Sequence, residues 1–473
     1  MARQRIRGMM DINHDPAMPA PAPGFIPTSP PRTGILRLLV IAMALSVAGS
    51  TWIAATRHAD RINTNVSKTD QGAYLAEAQR WRDKGDTYQT KRNRMPLYPW
   101  LLKPLIPVAE KSGLDFFHVA KRANIALTIA AGFVLLAVAL RTLPWPAALA
   151  FHLVSTLSVL AYRAGYVQCE VLFFLLFFLT LVSMVRLLER PGPLLAAGTG
   201  LLAAAAYLTK ASALAAGFLF LGLAAARFLF DGRRHARDGG GWRRFPWRSL
   251  AVAPVFAAAF LVVAGPYLAT NKRVFTKYFY NVNSFYMWTD SWEEAREITK
   301  KAGDRRGWPD LPPDQIPSAR KWFREHSAGE AVARLARGSR IIFHEAKTNY
   351  GYYPYFVALA LACVAGALRN RAWFAASLRR HPWPVLFILG LAGGYWLLTA
   401  WYLDYARSHR VILPLALPLL FLLCYGIGRL MESAPDALTR LWARRLALAV
   451  CLVMPLHSIY LLGFNLQQHY AGD

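Results

Sequence analysis

Several ionisable residues of this chain lie beside long apolar segments, where a charge is costly unless it has a partner or a function. Asp70 can act as a general base, because an ionised carboxylate accepts a proton from a hydroxyl nucleophile. Cations can stabilise the negative charge that develops on a leaving phosphate. The candidates are Asp70, Arg163, Glu170, Lys210, Asp404, Arg407, His409 and Arg410. Acidic and basic residues of these types would form a functional site if the fold brings them together.

The composition indicates what kind of fold has to position them. The chain has 473 residues, 55% of them hydrophobic and 17% charged, whereas soluble domains carry about 25% charged residues. Its net charge of +28 does not indicate nucleic-acid binding, because the basic residues interrupt long apolar runs. The four cysteines lie inside such runs, which disfavours a disulfide framework. The composition therefore predicts an all-α polytopic membrane protein.

A hydrocarbon core about 30 Å thick requires roughly 20 apolar residues per helix, and by that rule we predict about eleven spans. They lie near 34–55, 123–141, 146–163, 167–187, 193–209, 211–230, 249–269, 352–368, 383–402, 411–429 and 445–464. Residues 1–33 are polar and Pro-rich, and we interpret them as a disordered cytoplasmic lead. An N-terminal transmembrane module (34–269) contains the first large loop, 56–122. A second large loop or cap (270–351) and C-terminal transmembrane helices (352–473) follow.

The arginines of the short connections predict the orientation. The lead and the connections near 141, 186–190, 227–248, 369–380 and 440–445 carry arginine, so we expect them in the cytoplasm. The two large loops then lie outside the cell or in the periplasm, as in a protein of the bacterial inner membrane. Asp70, Arg163, Glu170, Lys210 and the 404–410 turn all map to that outer face. This convergence predicts a one-sided functional site.

The first large loop combines a helix with a Pro-rich turn. Thr69 and Asp70 precede a helical pattern that ends near Gly85, so either side chain is also a candidate N-cap. The segment 94–99 (RMPLYP) predicts a turn that leads into an amphipathic stretch on the membrane surface.

These segments resemble motifs of the GT-C fold glycosyltransferases, closest to the bacterial branch of aminoarabinose and protein O-mannosyl transferases. Residues 70–75 resemble the Asp-Glu…Tyr…Ala motif of the first outer loop, and 94–99 resemble Arg-x-Pro-x-Tyr-Pro. Residues 168–170, 208–210 and 410–418 resemble later motifs in the order of that family. The chain departs from the pattern at Gln71, where many relatives carry a second acid.

The resemblance implies a donor sugar on a polyprenyl phosphate, an acceptor hydroxyl on a glycan, lipid or protein, surrounding membrane lipids, and no nucleic acid. It implies Asp70 as the catalytic base. The implied donor-phosphate cations are Lys210, Arg410 and Arg163, and the implied supporting residues are Glu170, Tyr74, Arg94, Tyr98 and His409. A lipid phosphate is a good leaving group, so the second carboxylic acid of glycoside hydrolases is not required. No His, Cys or Asp cluster has metal-ligand spacing, and a role for a divalent cation stays open.

Structural alternatives exist for most of these residues. Glu170 can form an ion pair with Arg163, and Lys210 can extend from a helix end towards water. At least one of Arg407, His409 and Arg410 can be an interfacial anchor.

The second large loop begins with aromatic residues that are typical of a membrane interface. Helices are expected over 293–301 and 318–340, on either side of a Pro-rich stretch, and together they would form a lid on the acceptor side.

Two other functions remain open. A transporter or flippase of lipid-linked saccharides would favour internal repeats and polar residues at the membrane midplane, and the sequence shows no evident repeat. An oligosaccharide polymerase or ligase would share an outer-face site without requiring the Asp70 motif.

Overall fold

The computed structural model describes residues 34–85, 94–237, 247–302, 312, 314–348, 350–405 and 409–469. In chain order its α-helices are α1 (Gly34–Arg61), α2 (Gln71–Lys84), α3 (Leu97–Leu102), α4 (Ile106–Ser112), α5 (Phe116–Leu140), α6 (Trp145–Ser155), α7 (Ala161–Ala164), α8 (Glu170–Glu189), α9 (Pro193–Thr209), α10 (Ala213–Arg237), α11 (Trp247–Phe275), α12 (Asn283–Tyr286), α13 (Trp292–Ala302), α14 (Ala319–Glu325), α15 (Ala328–Thr348), α16 (Tyr353–Arg369), α17 (Arg371–Arg380), α18 (Pro382–Tyr405), α19 (Leu413–Ser433), α20 (Ala437–Tyr460) and α21 (Leu466–Gln468). No strand occurs within these ranges. The predicted disordered lead, 1–33, lies outside the described residues.

Nine helices of the described ranges are long and apolar enough to cross a membrane, or ten if the bent pair α16 and α17 is one span. An apolar helix suits a bilayer because it satisfies its backbone hydrogen bonds internally. The predicted all-α polytopic membrane class is therefore confirmed. Each of the eleven predicted spans coincides with a helix. However, α9 and α16 have only 17 residues each, about 26 Å at 1.5 Å per residue, so the count of eleven stays a prediction.

Several helices differ from their predicted bounds. Helices α1 and α11 continue to Arg61 and Phe275, beyond the predicted ends at 55 and 269, and so include polar residues that follow each long apolar run. The connection 369–380, predicted as a loop, contains the helix α17, whose axis lies 102° from that of α16. The break is at Asn370, whose φ of −118° and ψ of 42° are not helical.

The centre of the bundle is an aromatic cluster shared by α6, α8 and α19. The ring centroids of Phe151, Phe178 and Phe421 lie 5.2 to 5.6 Å apart. Between α6 and α7 the chain forms one π-helical turn, Thr156–Leu160, shortly before Arg163. Such turns occur often at functional sites because they rotate the residues that follow.

Helix α9 lies unusually close to α11. A Cβ atom at Gly200 would lie only 2.4 Å from the carbonyl oxygen of Phe256. Only glycine permits this approach, as in other helix pairs that cross at small residues. The contact fixes the position of α9 and hence of Lys210, which follows its last residue.

One end of the bundle carries both large loops, and we call it the loop end. Helices α1, α7 and α9 end there, and α5, α8 and α19 begin there, since successive long helices alternate in direction. The opposite end, with the Arg-rich connections, is the short-loop end.

The second large loop forms the helices α12 to α15. The predicted helix 293–301 is confirmed as α13, whereas the predicted helix 318–340 is divided into α14 and α15. Helix α15 packs tightly along α18, because Gly338 faces the backbone of Ala400. In addition, the Nη2 atom of Arg337 lies 2.8 Å from the Oδ2 atom of Asp404. The loop is therefore attached to α18 along its length.

Candidate functional site at the loop end

Asp70 is the centre of a charged cluster at the loop end. It immediately precedes α2, but its side chain makes no capping hydrogen bond. Among the described residues the Thr69 hydroxyl oxygen has no hydrogen-bond partner either, so the side-chain capping alternative is wrong. Instead, Arg94 Nη2 donates to Asp70 Oδ1 at 2.8 Å, and Arg410 Nη1 donates to Asp70 Oδ2 at 3.2 Å. Each carboxylate oxygen of Asp70 thus holds a different guanidinium group.

This environment keeps Asp70 ionised. Burial alone would raise the pKa of the Asp70 carboxyl, but the charges and hydrogen bonds of Arg94 and Arg410 outweigh burial and place the pKa below its ordinary value. About a third of the side chain, 32%, remains exposed. Asp70 is therefore an accessible carboxylate whose basicity is reduced by its two partners.

A second carboxylate, Glu170, lies beside the first at the start of α8. Its Oε1 atom is 3.8 Å from Lys210 Nζ and 3.8 Å from Arg410 Nη1. Its other oxygen, Oε2, is buried and has no hydrogen-bond partner in the part of the chain that the structure describes. Arg410 thus connects the two carboxylates, and Lys210 is ion-paired rather than a simple interfacial lysine. The alternative of a pair between Glu170 and Arg163 is wrong for the described residues, since Glu170 contacts the other two cations instead.

Arg163 lies in a layer beneath this cluster and is only 1% exposed. Its Nη2 atom donates a short hydrogen bond to the hydroxyl of Tyr350, and Nη1 donates to Gln168 Oε1 at 3.4 Å. No carboxylate of the described residues is within ion-pair distance of it. Burial raises the pKa of the Tyr350 hydroxyl, and the charges of Arg163, Arg410 and Glu170 also act on that hydroxyl. Arg163 therefore adds positive charge to the cluster from below.

Two of the predicted supporting residues, Tyr74 and Tyr98, form the apolar floor. Their rings meet edge to face with centroids 5.2 Å apart. The Tyr74 hydroxyl donates to Cys169 Sγ at 3.1 Å, and the Tyr98 hydroxyl donates to Asn124 Oδ1 at 3.3 Å. The guanidinium carbon of Arg94 lies 5.7 Å from the Tyr74 ring centroid. Because both hydroxyls are engaged and both rings are buried, these residues position Arg94 and Glu170.

The 404–410 turn contributes Arg410 alone to the described cluster. His409 is in a short 3₁₀ turn, His409–Val411, but its side chain lies outside the described residues, as does Arg407. Asp404 binds Arg337 of α15 and so belongs to the attachment of the second loop.

Gln71 is a structural residue that sequence reasoning noted only as a missing acid. Its buried amide exchanges two 2.8 Å hydrogen bonds with the side-chain amide of Asn63. The Gln71 Oε1 atom also accepts from the backbone N–H of Val167 at 2.9 Å. Lys121 Nζ donates to the carbonyl oxygens of Ala59 and Asn63. This layer joins the end of α1 to the turn that precedes Glu170. Of its three side chains only Lys121 lies within a long apolar helix, α5, where a charge is a signal that the sequence offers.

The carboxylate oxygens present do not favour a bound metal ion. In the part of the chain that the structure describes, no three His, Cys, Asp or Glu side chains are grouped as ligands. Guanidinium and ammonium groups already bind Asp70 and Glu170, and a divalent cation would have to displace them. No step below uses one.

The cluster joins elements that are far apart in the chain: the turn before α2, the segment before α3, the end of α7, the start of α8, the end of α9 and the turn before α19. It holds two carboxylates and three cations, Arg94, Lys210 and Arg410, and a fourth cation, Arg163, lies beneath it. Comparisons of the sequence with protein-family models and with curated proteins found no match.

Proposed function

We propose that the chain is an integral-membrane glycosyltransferase of the GT-C type that uses a polyprenyl-phosphate-linked sugar. One observation carries this proposal. At the loop end, an accessible carboxylate lies among three cations, and a fourth, Arg163, is buried beneath them, against two carboxylates. A surplus of positive charge in a partly buried site is stabilised by binding an anion, and the phosphate of a lipid carrier supplies one at the membrane surface.

The reaction follows from the chemistry of the groups. Asp70 takes the proton of the acceptor hydroxyl, and the acceptor oxygen forms a bond to the anomeric carbon of the sugar. The bond between that carbon and the phosphate oxygen breaks, and the lipid phosphate leaves with the electron pair. Attack from the face opposite the phosphate inverts the anomeric configuration. The leaving group needs charge stabilisation rather than a proton, which suits Lys210 and Arg410.

The other residues have supporting roles in this proposal. Arg163 adds to the field at the phosphate without direct contact, because it is buried beneath the cluster. Glu170 holds Lys210 and Arg410 in place. The acceptor, a glycan, lipid or protein, approaches Asp70 from the exposed side, and the prenyl chain of the donor lies in the bilayer. We assign the loop end to the periplasmic or outer face of a bacterial inner membrane.

The central test removes the base. We expect Asp70→Asn to reduce sugar transfer by at least about 100-fold, the usual contribution of a general base, because an amide cannot take the proton. The measurement is mass spectrometry of lipids and glycans from a strain that carries only the variant, with purified protein in nanodiscs and a panel of polyprenyl-phosphate sugars as the second assay.

Asp60→Asn is the matched control. Asp60 also pairs with an arginine at the loop end, at 2.7 Å from Arg122 Nη2, but it is outside the cluster. We expect its activity to match that of the original chain. Full activity of Asp70→Asn, with normal amounts of protein in the membrane, would refute the assignment.

A further inference from the structure

The two arginines on Asp70 create a chemical conflict for its proposed role. A carboxylate with a guanidinium group on each oxygen is a weak base, because protonation has to break at least one of two charge-assisted hydrogen bonds. Both contacts are short, at 2.8 and 3.2 Å. The resting arrangement therefore keeps the base inactive, and some event has to release it.

The charge balance of the reaction indicates what that event is. A donor phosphodiester carries one negative charge, and the lipid phosphate that leaves carries two. Asp70 is charged before transfer and neutral after it. Transfer thus moves one negative charge from the Asp70 carboxylate to the lipid phosphate, while the total charge at the site is unchanged. Cations that neutralise Asp70 at rest are needed at the phosphate at the end.

Arg410 is better placed for this exchange than Arg94. Its contact with Asp70 is the longer of the two, and it is shared with Glu170 at 3.8 Å. The guanidinium group of Arg94, by contrast, also packs over the buried Tyr74 ring. Arg410 is in the short turn His409–Val411 that leads into α19, so it reaches Asp70 from a different element than Arg94 does. A phosphate that binds between Lys210 and Asp70 would lie next to the Arg410 guanidinium group.

We propose that the phosphate of the lipid carrier withdraws Arg410 from Asp70, so that the base becomes active only when the carrier is bound. This inference rests on the proposed function, because it takes the carrier phosphate as the competing anion. An acceptor hydroxyl then meets a competent base only when the carrier phosphate is bound.

The charged or titratable groups that face Asp70 come from five elements. They are Arg94 from the segment before α3, Glu170 from α8, Tyr74 from α2, Tyr402 from α18 and Arg410 from the turn before α19. Tyr74 stays neutral because burial raises the pKa of its hydroxyl, and phenols ordinarily ionise near pH 10. The charges that act on Asp70 are therefore those of the arginines, of Glu170 and of the incoming anion.

The test measures the protonation of Asp70 directly. A hydrophobic carbodiimide modifies protonated carboxyl groups, and peptide mass spectrometry quantifies the label at Asp70 as a function of pH. The protein is placed in nanodiscs that contain either polyprenyl phosphate or the uncharged polyprenol. We expect the half-labelling pH to be higher with the phosphate by about one unit or more, a tenfold change in the protonation equilibrium. Inorganic phosphate added to polyprenol nanodiscs shows whether a free anion has the same effect.

Two matched variants separate withdrawal of Arg410 from simple repulsion by the bound phosphate. In Arg410→Gln we expect the half-labelling pH to be raised already in polyprenol nanodiscs and to change little when phosphate is bound. In Arg94→Gln, we expect the phosphate to raise the half-labelling pH of Asp70 by as much as in the original chain. Native mass spectrometry reports the bound lipid in each case, and loss of lipid binding in Arg410→Gln alone also supports the assignment. If the phosphate shifts the half-labelling pH equally in both variants, or does not shift it in the original chain, the withdrawal of Arg410 is refuted.

The outcomes also distinguish this inference from the proposed function. A shift of the Asp70 profile without sugar transfer in any assay would leave the inference intact and refute the enzyme. Transfer that proceeds with an unshifted profile would refute the inference and leave the enzyme intact. Failure of polyprenyl phosphate to bind would refute both.

Discussion

Asp70 and Tyr350 are both associated with a strained backbone. Thr69, directly before Asp70, and Tyr350, the partner of Arg163, have φ values of 64° and 66°, in the left-handed region that residues other than glycine rarely adopt. Such conformations cost about 1–3 kcal/mol each and persist where the surroundings hold them. Here the surrounding groups are the arginines on Asp70 and the guanidinium of Arg163. The charged cluster therefore holds its own supporting backbone in place.

A first prediction at this scale concerns acid. Because the folded pKa of Asp70 is below its ordinary value of about 4, its ion pairs stabilise the fold above that ordinary value, and this contribution is lost as pH falls through the lower folded value. We expect the stability difference between the original chain and Asp70→Asn to be constant near neutral pH and to shrink below about pH 4. Thermal unfolding in detergent across pH measures it. A difference that grows on acidification would contradict the pairing.

A second prediction concerns Gln71, where the chain departs from the motif that its first large loop resembles. We expect Gln71→Glu to destabilise the protein by about 1–3 kcal/mol. The Gln71 amide donates to Asn63 Oδ1 at 2.8 Å and to the Lys68 carbonyl oxygen at 3.3 Å, and a carboxylate would oppose both oxygens. Thermal unfolding gives the effect, with the exposed Asn65→Asp as the amide-to-acid control. Equal stability of the two variants would show that the amide layer is not required.

Among the helices, the close contact of α9 with α11 connects packing to the site. Lys210 follows the last residue of α9 and lies 3.8 Å from Glu170. A shift of α9 away from α11 therefore changes the distance between these two charges. The packing of two apolar helices in the membrane thus determines an ion pair at its surface.

The prediction for this contact compares two glycines of one helix. We expect Gly200→Ala to destabilise the protein by about 1–3 kcal/mol and to raise the KM for the donor, since its Cβ atom would collide with the backbone of Phe256. A Cβ atom at Gly198 would meet no atom of a neighbouring element within 4 Å, so Gly198→Ala is the control and should retain activity and stability. Thermal unfolding and donor kinetics check both. Unchanged donor kinetics in Gly200→Ala would separate α9 from the site.

The sequence was sufficient to predict the helices and the common side of the charged residues, because hydropathy and chain order determine both. It did not predict which cation binds which carboxylate. Arg94, expected as a supporting residue, is the closest partner of Asp70, and Arg163, expected at the phosphate, is buried. Asp404 lies in the same predicted turn as Arg410, but it pairs with Arg337 of α15 and not with a cation of the cluster. These choices depend on the rotation of each helix about its axis and on side-chain packing, which hydropathy does not encode.

For the molecule as a whole, the two ends of the bundle differ in how they use charge. At the short-loop end, arginines cap the helix ends and a few carboxylates pair with them or with histidine, as in Arg369 with Asp436 and His381 with Glu189. The loop end also has simple pairs, such as Arg122 with Asp60, but there three cations form in addition a cluster around two carboxylates. The net charge of +28 is thus distributed differently at the two ends.

This difference predicts the orientation in the membrane. We expect a cysteine at the exposed Asn65 to react with a membrane-impermeant maleimide in intact cells, and a cysteine at the exposed Arg233 to react only after lysis. The natural background should be low, because Cys169, Cys424 and Cys451 are buried and Cys363 is half-buried. Labelling of Arg233→Cys but not Asn65→Cys in intact cells would place the site in the cytoplasm.

The pair of Asp70 and Arg410 joins residues separated by 340 positions. During synthesis at 5–20 residues per second, about 20 to 70 s pass between the two residues at the ribosome. Through that interval the nascent chain carries Asp70 without one of its two arginines, although the helices before α19 are already made. A chain truncated before α19 would therefore insert most of its helices and still have an incomplete charge cluster, so insertion into the membrane and assembly of the site are separate events in time.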